Sequence, residues 1–210
     1  TEYLPTKMQF MVRDIKNDRV IWQPITLDTK EILDRLKLHQ NSEVDVAMIN
    51  VTDILMEYAN SKEHLISFYG VTSDNLPNNN PLKINVGDDV LVAGYPKTFY
   101  DTTNQYPIIK SGVIASRWGS HFKGQPYFLI DAKLFPGSSG SIVITKPQYI
   151  AVIDEKVKYS KDGDFVLLGI YSGYLPVTFT SEDTDPFNVG IVWYSSLITD
   201  IMINGVSFNG

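Results

Sequence analysis

The sequence predicts a mainly β fold, a sandwich or barrel, that ends in a helix. Three observations carry this. Short apolar runs recur along the chain, with turn residues between them. The most loop-like stretch, Ser73-Asp74-Asn75-Leu76-Pro77-Asn78-Asn79-Asn80-Pro81, has strand candidates on both sides, so two halves are expected to join there. Near the C-terminus the apolar period changes from two to helical spacing, with Leu197, Ile198, Ile201 and Met202 following Ser195-Ser196. We therefore divide the chain into residues 1–75 and 76–210, the helix belonging to the second half.

In the first half, Met8 to Arg13 and Arg19 to Trp22 read as strands around the polar turn Asp14-Ile15-Lys16-Asn17-Asp18. Residues 28–38 read as a short helix or an irregular charged segment. Val44 to Val51 is mostly apolar, like a buried strand, but carries Asp45. A carboxylate in such a run is costly to bury unless paired, so a strand-end Asp facing water is the plain alternative. Thr52 or Asp53 is placed to cap a helix through Asn60.

The second half is strand after strand: Asp89 to Ala93, Ile108 to Ser116, Pro126 to Ala132, Ser141 to Thr145, Tyr149 to Ile153, Phe165 to Tyr171 and Val189 to Trp193. Gly94-Tyr95-Pro96, Gly119, Lys123-Gly124, Asp162-Gly163 and the polar run Thr180 to Pro186 separate them. Many short strands with frequent turns are the signature of all-β architecture.

Composition bounds the function. Of 210 residues, 43% are hydrophobic and 20% charged, as in an ordinary core-forming protein. The net charge of −6 and the lack of a Lys/Arg cluster argue against a nucleic-acid partner. There is no Cys, which excludes disulfides and thiolate metal sites and fits a cytoplasmic protein. No His pair stands at metal-ligand spacing, so neither a metal nor another cofactor is expected. No apolar run approaches the roughly 20 residues that span a bilayer, so no membrane partner is expected. The N-terminus lacks an apolar signal core and an initiator Met, as expected of a chain that is processed, trimmed or part of a longer product, which leaves room for other domains as partners.

The chemistry concentrates in Phe135-Pro136-Gly137-Ser138-Ser139-Gly140-Ser141, between the apolar runs Tyr127 to Ile130 and Ile142 to Ile144. A tight bend of small residues there can present a hydroxyl and two backbone N–H groups to one point. Acyl transfer needs that combination, a nucleophile and donors for the oxyanion it creates. A Gly/Ser hairpin turn without chemistry is the alternative.

Three segments together favour chemistry. Val44-Asp45-Val46-Ala47-Met48-Ile49 resembles the triad-acid segment of the bacterial trypsin-like serine peptidases. Gly137-Ser138-Ser139-Gly140 is similar to their nucleophile segment, and Leu168-Gly169-Ile170-Tyr171-Ser172-Gly173 to the strand lining their substrate cleft. Val90 to Pro96, Phe128 to Ala132 and Val189 to Val192 also read like family segments, so the resemblance covers roughly residues 8–204. Spacing agrees: Ser139 follows Asp45 by 94 residues, and in chymotrypsin the acid precedes the serine by about 93.

The resemblance implies two six-stranded antiparallel barrels of the chymotrypsin fold, the first incomplete at its N-terminus. It implies a protein or peptide substrate, Ser139 as nucleophile and Asp45 as the acid that orients a histidine. The N–H groups of Gly137 and Ser139 would then form the oxyanion hole. Lys133 falls at the primary specificity position, Ser172 and Gly173 on the strand that pairs with substrate, and Gly190 on the opposite pocket wall. A lysine at the pocket base would favour an acidic or polar side chain before the cut; a solvated loop lysine is the alternative.

Two departures qualify this. Chymotrypsin's histidine lies about 45 residues before the acid, which here falls just off the start of the chain. The histidines present do not fit: His39 lies too close to Asp45, His64 follows it, and His121 sits in an expected turn. The base is thus expected upstream of residue 1. Ser138 precedes the nucleophile where digestive members carry an acid, so activation by a freshly cut N-terminus is not expected. A serine endopeptidase is the first reading. A peptidase-fold binding or regulatory module that no longer cuts is the second, since fold alone does not establish function.

Overall fold

The computed structural model describes residues 6–16, 19–61, 66, 70–96, 99–153, 155–175 and 189–208. The chain forms two compact units, one of residues 1–43, 47–70 and 199–210, the other of residues 44–46 and 71–198.

The first unit opens with β1 (Lys7–Lys16) and β2 (Arg19–Asp28), antiparallel from Lys7 opposite Asp28 to Lys16 opposite Arg19. The strand thus runs through most of the turn expected at Asp14 to Asp18. The cause is face alternation: Val12 and Asp14 share a face and both are buried, and the Tyr58 hydroxyl donates to the Asp14 carboxylate over 3.1 Å. Helix α1 (Thr29–Arg35) starts on a reciprocal capping box, with Asp28 accepting from Glu31 N and Glu31 accepting from Asp28 N. Two short strands follow, β3 (Leu36–Leu38) and β4 (Ala47–Ile49). The strand read over Val44 to Val51 therefore shrinks to its middle. Helix α2 (Thr52–Asn60) has Val51 at its N-cap. Neither Thr52 nor Asp53 caps it: the Asn50 side chain accepts from Thr52 N, and Asp53 turns to Arg35.

The second unit begins with the Asn-rich stretch, which is a folded turn bonded to itself and its neighbours. Asn79 Nδ2 donates to Ser73 O (2.9 Å), and Asn80 Nδ2 reaches Asp74 O (3.1 Å) and Phe165 O (3.3 Å). The strands are then β5 (Asp89–Gly94), β6 (Ile108–Ile114), β7 (Tyr127–Asp131), β8 (Ile142–Thr145), β9 (Gln148–Ile153), β10 (Lys156–Asp164), β11 (Leu167–Tyr174) and β12 (Val189–Tyr194). Six of them pair antiparallel in the order β11-β12-β7-β6-β5-β8, and β8 pairs back onto β11, so the sheet closes on itself. Strands β9 and β10 form a separate hairpin in the connection from β8 to β11. β10 went unread because its Val157 and Tyr159 alternate with lysines, and the expected Asp162-Gly163 turn is instead an irregularity within it. The expected turn at residues 180–186 lies outside the described residues.

Alternation along the closed sheet separates two apolar clusters. Phe128 and Ile130 of β7 and Val192 and Tyr194 of β12 join Val90, Val92, Val143 and Leu168 on one face. Tyr127, Leu129 and Trp193 point the other way and are covered by Val44 and by Leu197 of α3 (Ser196–Asn204). This explains why Tyr127 to Ile130 is continuously apolar: both faces of that strand are buried. The last strand, β13 (Val206–Ser207), pairs with β3, which pairs with β4. The five described strands of the first unit thus make two small sheets, and among the described residues the six-stranded ring occurs in the second unit alone.

Candidate active site

The nucleophile segment is built from two successive turns. Ser138 N donates to Phe135 O over 3.1 Å, with Pro136 and Gly137 at the corner and Gly137 at φ +86°. Proline then glycine at positive φ is the type II arrangement. Ser141 N then donates to Ser138 O over 3.0 Å, with Ser139 and Gly140 at the corner and Gly140 again at φ +86°. Ser139 therefore sits at the tip of the second turn, exposed, while Ser138 and Ser141 on either side are buried. Two bonds to β11 fasten the tip: Gly140 N donates to Tyr171 O (2.8 Å) and Tyr171 N to Ser141 O (2.9 Å).

The backbone donors of this segment alternate in use. The N–H groups of Ser138, Gly140 and Ser141 are all bonded, whereas those of Gly137 and Ser139 have no acceptor among the described residues. Two unpaired donors thus flank an exposed hydroxyl. The hydroxyl itself donates to the Ser172 carbonyl. Ser172 lies where β11 slips register against β12, between Tyr171 opposite Val192 and Gly173 opposite Ile191. Its own hydroxyl accepts from Trp193 Nε1 over 3.1 Å.

Asp45 belongs to the same unit as Ser139. Val44 and Val46 on either side of it pack in the cluster that contains Trp193, while Asp45 is exposed. Its carboxylate has no hydrogen-bond or ion-pair partner among the described residues.

The remaining expected residues are less concentrated. Lys133 is exposed beside Leu134, whose N–H donates to the Tyr174 hydroxyl (2.7 Å) and whose carbonyl accepts from it. Gly173 is half-buried with open space where a Cβ would stand. Gly190 is buried, and a Cβ there would come within 2.8 Å of the Tyr171 ring and 3.2 Å of Ile130. That close approach is itself sufficient reason for glycine. Burial first, then the neighbouring Tyr174, pushes the Tyr171 hydroxyl pKa up, so Tyr171 is a neutral packing group.

His39 is engaged in the first unit: Nε2 lies 2.8 Å from Asp200 Oδ2, and Nδ1 accepts from Asn41 N over 3.0 Å. His121 packs against the Tyr194 ring, with centroids 6.4 Å apart. His64 lies outside the described residues.

A cavity of about 450 Å³ opens beside Ser139. Gly137, Ser139 and Gly140 form one side; Ala93, Tyr95 and Pro107 form another. No histidine or charged side chain of the described residues lines it. Gly94 explains how β5 comes so near, since a Cβ there would lie 1.8 Å from Ser141 Oγ. In the sequence Gly94-Tyr95-Pro96 reads as a turn with no part in the site. The available signal was an exposed-type turn with an aromatic residue between two turn formers.

No family model matches the chain, and no curated protein does. Among the described residues no cluster of three or more His, Asp or Glu could hold a metal, and no helix is long and apolar enough to cross a membrane.

Proposed function

We propose that the chain carries the nucleophile, acid and oxyanion donors of a trypsin-like serine endopeptidase, with the histidine of the triad upstream of residue 1. On this reading the closed sheet is the second of two barrels, and the substrate is a protein or peptide. The observation that carries it is the pairing pattern at residues 137–141, which leaves Gly137 N and Ser139 N open beside an exposed hydroxyl. Corner N–H groups are open in any β-turn; what supports the reading is that two of them flank one exposed serine hydroxyl.

In the proposed reaction Ser139 Oγ attacks the scissile carbonyl carbon and its proton passes to the histidine. The tetrahedral oxyanion takes the N–H groups of Gly137 and Ser139, each worth on the order of 3 kcal/mol of barrier. Collapse expels the amine, which takes the proton from the histidine, and water then releases the acyl group by the same route. Asp45 holds the imidazole tautomer and stabilises its charge. Ser172 and Gly173 would run beside the acyl part of the substrate, and Lys133 would select its side chain.

A second reading has its own observation. The Ser139 hydroxyl donates to the Ser172 carbonyl, and no described histidine lines the adjoining cavity. A serine without a base is a weak nucleophile, so the same framework also suits a module that binds peptides without cutting them.

Fluorophosphonate labelling separates the two. A product extended upstream of residue 1 should label at Ser139 and lose labelling in Ser139→Ala, while residues 1–210 alone label at least ~10³-fold more slowly. An extended product that neither labels nor cleaves peptides leaves the binding module in place of the peptidase.

A further inference from the structure

The closed sheet fixes which sides of Ser139 are occupied. β8, which follows Ser139, lies between β11 and β5 in the hydrogen-bonded order. The β11 side holds the Ser172 carbonyl and the strand end at Gly173 and Tyr174. The β5 side holds the cavity. A peptide whose carbonyl carbon sits at Ser139 Oγ and whose oxygen faces Gly137 N and Ser139 N sends its two halves in opposite directions. On the peptidase reading the acyl half would pass β11 beside Ser172 and Gly173, which leaves the cavity to the other half.

The cavity wall is a built feature. Residues 101–105 fold around Asp101, whose carboxylate accepts from Thr103 N (2.9 Å), Asn104 N (2.9 Å) and Asn104 Nδ2 (2.8 Å). Gln105 follows at φ +56°, with its N–H on Asp101 O. The Gln105 carbonyl accepts from the Tyr95 hydroxyl over 3.0 Å, and the Tyr95 ring stands edge-on to Tyr100 with centroids 6.0 Å apart. Tyr95 is thus held at both its ring and its hydroxyl although 53% exposed. Ordering a large aromatic ring at the surface, beside Pro107 and Ile142, makes an apolar wall with nothing of the described chain against it.

We propose that this cavity receives a large apolar side chain, aromatic above all, from the leaving-group half of a peptide substrate. The proposal rests on the peptidase reading. Its volume of about 450 Å³ falls in the range of ~300–1,000 Å³ typical of small-ligand sites. Among the described residues the lining offers apolar surface and no charged side chain, so these residues discriminate by hydrophobic burial and not by ion pairing. Tyr95 is a specificity-determining residue, and Asp101 acts on specificity only through it.

Backbone amide NMR of the 210-residue chain tests this without needing the base. Three probes are titrated: Phe-Ala-amide, which carries the free amine of a leaving group; Gly-Ala-amide; and N-acetyl-Ala-Phe, which carries the carboxylate of an acyl product. Phe-Ala-amide should shift the amides of Gly94, Tyr95 and Ile142 saturably. Gly-Ala-amide should bind at least about tenfold more weakly, as should Phe-Ala-amide to Tyr95→Ala, while Tyr95→Phe, which keeps the ring but loses the bond to Gln105, should bind more tightly than Tyr95→Ala. Equal binding of the Phe and Gly probes, unchanged binding in Tyr95→Ala, or N-acetyl-Ala-Phe entering the cavity in preference would each overturn the proposal. Ser139 labelling in the extended product without Phe-selective binding overturns the pocket alone; Phe-selective binding without labelling overturns the peptidase reading and with it the leaving-group assignment.

Discussion

Ser139 owes its exposed position to two glycines at φ +86°, one at each turn, whereas Gly169 is glycine for a different reason. A Cβ at Gly140 would meet nothing within 4 Å, so Gly140→Ala is opposed by backbone strain alone. It should cost about 1–2 kcal/mol and leave the chain folded. A Cβ at Gly169 would lie 1.9 Å from the Trp193 carbonyl oxygen, inside the ladder between β11 and β12. Gly169→Ala should reach or exceed the upper end of the ~1–3 kcal/mol of overpacking, because strands cannot yield as a side chain can. Urea midpoints of the two variants check this; equal losses would mean that turn strain and strand clash are not separable here.

At the scale of elements, the turn at residues 101–105 depends on one carboxylate. The backbone N–H of Asn104, then its side-chain amide, hold the Asp101 pKa below its ordinary value. A depressed carboxylate stabilises the fold above its unfolded pKa of about 3.9, and the contribution is lost as pH falls through the lower folded value. The Thr103 and Asn104 amides should therefore lose protection, taken relative to the intrinsic exchange rate at the same pH, below about pH 4 and before the closed sheet responds. Protection that does not change on acidification, or that changes equally in Asp101→Asn, would show that this turn stands without that charge. The β9–β10 hairpin is another weak element. Ile150 and Tyr159 face each other across it, as do Val152 and Val157, and all four are exposed. A two-stranded ribbon of this kind is marginal by itself, so its amides should exchange faster than those of β7 and β12.

At the scale of the molecule, the second unit is anchored on Phe128, which is fully buried. The Trp118 ring lies 4.9 Å and the Tyr194 ring 5.1 Å from it, centroid to centroid. Phe128→Ala should remove about 3–5 kcal/mol, a large share of the roughly 5–15 kcal/mol typical of a domain. The fluorescence of Trp118 and Trp193, both in this unit, follows its unfolding in a Trp22→Phe background. A loss below ~1 kcal/mol would mean that the cluster repacks around the gap.

The sequence by itself determined the features that depend on local chemistry. Pro136-Gly137 and Ser139-Gly140 specify turns because proline fixes φ and glycine admits the positive φ that follows. The double-sided apolar run at Tyr127 to Ile130 specifies a strand buried on both faces. Leu197 and Ile201 at helical spacing specify α3, and both are buried in it. The tertiary structure decided whatever depends on residues far apart in the chain. Asp14 reads as a turn residue until Tyr58 satisfies it, because burying a carboxylate is governed by its partner and not by its neighbours in sequence. Whether the Ser139 hydroxyl is free or engaged was likewise undecided until β11 brought the Ser172 carbonyl to it. Tyr95 became a cavity wall only once Gly94 let β5 close on Ser141 and Gln105 fixed the hydroxyl. Strand and turn preferences act over a few residues and are written in composition; an engaged hydroxyl or a cavity is made by which strands meet, and that is settled only when the sheet closes.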